Sequence, residues 1–102
     1  VSYRGYLSAL DVIIRLRMGS RAIRFDARQG TWRAADREIR ASETNGNGIR
    51  FQLYTLAGRE TRAGSYSGTV GARPDDLARY LVYFLQTGKP WHQGIAGPPE
   101  HF

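Results

Sequence analysis

The chain has 102 residues, 41% apolar and 24% charged, with no cysteine and a net charge of +6. That length holds one modest core. The missing cysteines exclude disulfides, thiolate metal sites and thiol nucleophiles together.

Val12, Ile14, Leu16 and Met18 alternate with Ile13, Arg15 and Arg17. A period of two predicts a half-buried strand over Val12–Met18, with Tyr3–Leu10 as its lead-in or a short helix. Gly19-Ser20 reads as a turn. Ala22–Ala27 is a second strand, with Ile23 and Phe25 facing in and Arg24 and Asp26 facing out. Gln29-Gly30 turns again, and Thr31–Ala35 is a third strand with Trp32 and Ala34 inward. Asp36–Ser42 is ambiguous, because Ile39 stands alone among charges; a strand extension and a helical turn both fit. Glu43–Gly48 holds two Asn/Gly steps and is the clearest loop. Ile49, Phe51 and Leu53 then alternate with Arg50, Gln52 and Tyr54, a firm strand signal. Ala57-Gly58-Arg59 turns into a weaker strand over Glu60–Val70.

Pro74–Thr87 is the clear helix. Pro74 suits the first helical position, Asp75 and Asp76 face the positive end of the dipole, and Gly88 followed by Pro90 ends it. The expected fold is α+β: an antiparallel sheet of four to five strands, then one C-terminal helix on one face, a two-layer sandwich. Ile14, Leu16, Ile23, Phe25, Trp32, Phe51 and Leu53 face that helix. A small barrel of the OB or SH3 type capped by the helix is the alternative. Residues 1–88 form the domain, and 89–102 form an extended Pro/Gly-containing tail.

Of fifteen basic residues fourteen are Arg, and Lys89 is the sole Lys. The guanidinium fork suits phosphate and carboxylate and stacks on aromatic rings. A GC-rich bacterial genome also favours Arg over Lys, but codon usage leaves the net charge unexplained. On this strand assignment Arg15, Arg17, Arg24, Arg33 and Arg50 project from the sheet face opposite the core, with Gln52 and Tyr54. Such a face fits single-stranded DNA or RNA, the charges on phosphates and the ring on a base. A solvated sheet face also accounts for polar residues there.

The helix is apolar nearly all round, so it needs cover on a second side. The tail, the N-terminal segment or a second chain supplies it. In the last case Val82, Tyr83 and Trp91 form the seam of a homodimer. The alternative function, motivated by the same helix and the aromatic tail, is a protein-interaction module, an inhibitor or adaptor of phage or mobile-element type that caps an acidic or nucleic-acid-binding surface of a larger partner. Trp91 also fits as an anchor folded back on the core.

No set of residues reads as a catalytic triad, a Walker loop or a zinc site, and His92 and His101 lack metal-ligand spacing. No cofactor is expected. A small ribonuclease using Glu38, Glu60, Arg50, Tyr54 and His101 is the one enzyme class left open. No apolar run approaches the roughly 20 residues of a membrane span. Val1–Leu10 lacks the core of a signal peptide, so a cytoplasmic location is expected. The chain starts at Val1 in place of Met, which points to a missing N-terminal piece.

Overall fold

The computed structural model describes residues 2–92, 97 and 98. It opens on a helix where a strand was expected. Helix α1 (Tyr3–Met18) buries Tyr6, Leu7, Leu10 and Ile14, which recur at helical spacing. Ser2 caps it, its hydroxyl accepting from the Gly5 N–H at 3.0 Å. Arg15 pairs with Asp11 one turn back at 2.9 Å.

The alternation over Val12–Met18 is therefore a local coincidence inside a 3.6-residue pattern that begins at Tyr3. Of its inward set Ile14 is fully buried, but Leu16 is 81% and Val12 57% exposed. Gly19, at φ +91°, ends the helix, and its N–H donates to the Arg15 carbonyl at 2.8 Å.

Five strands follow: β1 (Arg24–Asp26), β2 (Thr31–Ala34), β3 (Arg37–Glu43), β4 (Gly48–Thr55) and β5 (Thr61–Thr69), then helix α2 (Pro74–Thr87). Each strand pairs antiparallel with the next, giving an open sheet of order β1-β2-β3-β4-β5 in place of a closed barrel. The architecture is α+β, with two helices where one was expected. The ambiguous Asp36–Ser42 segment is mostly the central strand β3. Its lone Ile39 is fully buried because Trp32 on β2 and Leu53 on β4 lie directly opposite.

Both helices lie on the same face of the sheet. Trp32, Ile39, Ile49, Phe51, Leu53 and Tyr66 meet Leu7, Leu10 and Ile14 of α1 and Leu81, Phe84 and Leu85 of α2 in one core. Trp32 also donates its indole N–H to Asp11 Oδ1 at 3.2 Å, pinning α1 to β2. Two glycines set how closely the layers approach. A Cβ at Gly30 (φ +71°) would lie 3.3 Å from the Leu7 side chain, and one at Gly68 would lie 2.8 Å from Leu77.

Helix α2 begins and ends where the sequence predicts, with Pro74 in the first turn and Gly88 in the left-handed conformation at φ +77°. Its C-terminal carbonyls receive a further donor from outside: Arg37 Nη1 bonds to Leu85 O at 3.2 Å and Gln86 O at 3.1 Å. Cover for its second side comes from within the chain. Helix α1 packs along it. Trp91 meets Tyr83 edge-on at 5.1 Å, and the Trp91 N–H donates to the Tyr66 hydroxyl at 2.6 Å. Arg79 donates to the Pro98 carbonyl. No helix among the described residues is long and apolar enough to cross a membrane.

Candidate functional site

With both helices on one side, the other sheet face stands open. Its residues follow from the register and the two-residue pleat. One row across the strands reads Arg24, Arg33, Glu38, Tyr54, Arg62; the next reads Asp26, Thr31, Arg40, Gln52, Ser65; a third reads Ser42, Arg50, Ser67. Arg24, Arg33, Arg50 and Arg62 are exposed. None of the four makes a hydrogen bond or ion pair among the described residues.

Arg24, Arg33, Arg50, Gln52 and Tyr54 thus share the outer face that the sequence predicts for them. Arg15 and Arg17 do not. They lie in the last turn of α1, in the helical layer, because the segment taken for an edge strand is helical. Arg15 is also engaged, bonding Asp11 and reaching the Ser20 carbonyl at 3.3 Å. Two arginines that the sequence reading left out take their place. Arg40 follows by parity once β3 is recognised as a strand, since it neighbours inward Ile39. Arg62 is reached only through the register shift at Leu53/Tyr54, which returns β5 to phase with Tyr54.

Arg40 organises the centre of this face. Its guanidinium lies 3.9 Å from the centroid of the Tyr54 ring. Nε bonds to Glu38 Oε2 at 2.8 Å, and Nη2 bonds to Glu60 Oε1 at 2.5 Å. The hydrogen bond to Glu60 raises the guanidinium above the ordinary arginine range; Glu38 adds to this, and burial opposes it. Tyr54 donates its hydroxyl to Gln52 Oε1 at 3.1 Å. The ring is therefore covered on one side by a charged group.

Three residues of the ribonuclease set, Glu38, Glu60 and Tyr54, converge on Arg40. Both carboxylates hold the guanidinium. Arg50 stands four residues along β4 from Tyr54, about 13 Å at the usual strand rise. His101 lies outside the described residues, as do Ile95 and Phe102. No group of three His, Asp or Glu side chains among the described residues is placed to hold a metal ion.

At the corner where β1 meets β2 the face is concave. A pocket of about 320 Å³ is lined by Arg24, Phe25, Asp26, Gln29, Thr31, Arg33 and Glu38. Phe25 stacks on the buried Trp32 at 4.8 Å on the core side of the sheet, which fixes β1 against β2 beneath the pocket. The residues named for a dimer seam sit on the opposite layer: Val82 is 5% exposed, and Tyr83 rests on Trp91. Among the described residues the large apolar side chains that stand exposed are instead Val12 and Leu16 on α1. Comparison with known proteins finds no family model, no curated relative and no solved structure that matches this chain.

Proposed function

We propose that the protein is a small basic module that binds single-stranded nucleic acid on the outer face of its sheet. The observation that carries this reading is the set of four exposed arginines without partners among the described residues, Arg24, Arg33, Arg50 and Arg62, placed around the Arg40–Tyr54 pair. Unpaired arginines on a flat face take phosphate oxygens, and a base stacks on a guanidinium plane as it does on an aromatic ring. The edges of an open base reach Gln52 and the ends of the arginines, which duplex DNA would not present to a flat sheet. The work is binding, with no chemical step.

The competing reading is a protein-interaction module acting through α2 and its aromatic tail, with a homodimer as one form. It has less surface to act with, since Val82 is buried and Trp91 is packed on Tyr83. A partner at that seam would have to displace Trp91.

Fluorescence anisotropy of labelled single-stranded and duplex oligonucleotides, at low and near-physiological salt, tests the proposal. Single strands are expected to bind more tightly than duplex. Replacing Arg24, Arg33, Arg50 and Arg62 together with Ala is expected to abolish binding while the circular dichroism spectrum stays unchanged. Normal binding by that folded variant refutes the outer-face assignment.

A further inference from the structure

The corner pocket differs from the rest of the outer face in its balance of charge. Two arginines, Arg24 and Arg33, share a cavity of about 320 Å³ with two carboxylates, Asp26 and Glu38. No salt bridge links either arginine to either acid. Each acid is held by one oxygen only. Asp26 Oδ1 accepts the backbone N–H groups of Arg28 and Gln29 at 3.0 and 3.1 Å, and Glu38 Oε2 accepts from Arg40. That leaves Asp26 Oδ2 and Glu38 Oε1 as acceptors, and two guanidinium forks as donors, around one volume.

A phosphate satisfies only half of this set, because the carboxylates repel it. A neutral ligand with acceptors on one edge and donors on the next satisfies all of it. Among the bases, guanine has that pattern: O6 and N7 accept side by side and take an arginine fork. Its N1–H and N2–H₂ donate side by side and take a carboxylate. The Gln29 amide and Thr31 hydroxyl add polar contacts of either sense.

We infer that the β1–β2 corner is a guanine-binding pocket, with Arg24 or Arg33 on the O6/N7 edge and Asp26 or Glu38 on the N1/N2 edge. This rests on the outer-face reading and adds base selectivity to it. The other positions of the face remain indifferent to base.

The test uses labelled decathymidine and three versions with one central dG, dA or dC. The dG version is expected to bind about fivefold or more tightly than the others, the discrimination of one good bidentate pair. Asp26→Asn keeps the side-chain oxygen that accepts from Arg28 and Gln29 but replaces the free acceptor with a donor. It is expected to lose the dG preference, while affinity for decathymidine rises as a carboxylate that repels phosphate is removed. Equal affinity for all four oligonucleotides overturns the guanine pocket and leaves the outer-face reading standing. No affinity for any of them overturns the outer-face reading. Titration of guanosine, with adenosine as control, against isotope-labelled protein then decides the pocket alone. Shifts at the Gln29 and Thr31 amides with guanosine only support it, and their absence overturns it.

Discussion

The number of phosphates on the outer face can be read from how affinity depends on salt. Arg24, Arg33, Arg50 and Arg62 are exposed and carry no partner among the described residues, so on an oligonucleotide without guanine each is available to displace one condensed counterion. For single strands the slope of log affinity against log salt is about −0.7 per phosphate, which predicts about −2.8 for four contacts and a loss of roughly 50-fold between 50 and 200 mM salt. Removing any one of the four should reduce the slope by about 0.7, leaving a loss of roughly 20-fold over that range. Arg15→Ala and Arg37→Ala are the controls. Arg15 is tied to Asp11 on α1, and Arg37 donates to the end of α2. Neither substitution should change the slope. Anisotropy titrations at five salt concentrations for each variant give the numbers. Equal slopes for Arg50→Ala and wild type, or a reduced slope for Arg15→Ala, would refute the assignment of phosphate contacts to this face.

Four further outcomes test the fold that holds the face. Arg37→Ala removes two charge-assisted bonds to the α2 carbonyls and should cost about 1–2 kcal/mol, read as a fall of roughly 5–10 °C in Tm. Leu10→Ala, in the buried stripe of α1, should cost about 2–5 kcal/mol. Replacing Val12 and Leu16 with Ser should change stability by less than about 0.5 kcal/mol each, since both side chains stand in solvent; chemical denaturation of the three variants distinguishes a helix from the strand that the alternation implies. Burial raises the hydroxyl pKa of Tyr3, Tyr6 and Tyr66 above 10.0. The folded state thus holds these protons more tightly than the unfolded chain, so their contribution is complete below about pH 10 and is lost as pH rises through the folded values. Far-UV circular dichroism and tyrosinate absorbance should change together above pH 10.

Where sequence and structure agree, local chemistry and tertiary environment point the same way. Pro74, Asp75 and Asp76, the 3.6-residue stripe and Gly88 all specify α2, and it runs from Pro74 to Thr87. Ile49, Phe51 and Leu53 alternate and are buried on one face of β4. Val12–Met18 fails for an identifiable reason. Val12 and Leu16 extend the apolar surface of α1 beyond the stripe that faces the core, so a seven-residue window shows period two while the full sixteen residues show 3.6. The cap at Ser2 and the Tyr3–Tyr6–Leu7–Leu10 spacing carried the correct signal, about two turns long. β3 was obscured differently. Its outward positions carry Glu38 and Arg40, and its inward apolar residues besides Ile39 include only the small Ala41; flanking strands bury it, and no local pattern shows that. Arg62 depended on a bulge that sequence spacing does not reveal.

The placement of Arg24 and Arg33 carries a cost that bears on function. They are direct cross-strand partners on the same face, and like charges so placed destabilise a sheet by roughly 0.2–1 kcal/mol. Glu38, directly opposite Arg33 on β3, offsets part of this repulsion, but it bonds to Arg40, and no ion pair joins it or Asp26 to either arginine. Arg33→Thr removes the repulsion and puts a β-branched residue on a strand, where such residues are favoured. It should therefore raise stability by up to about 1 kcal/mol while lowering affinity for single strands. That pairing of outcomes is the mark of a residue kept for binding at the expense of folding. Denaturation midpoints and anisotropy on the same preparation give both quantities. A variant that is less stable and binds normally would mean that Arg33 is held for the sheet itself, and the positive charge at this corner would then have no bearing on what the face recognises.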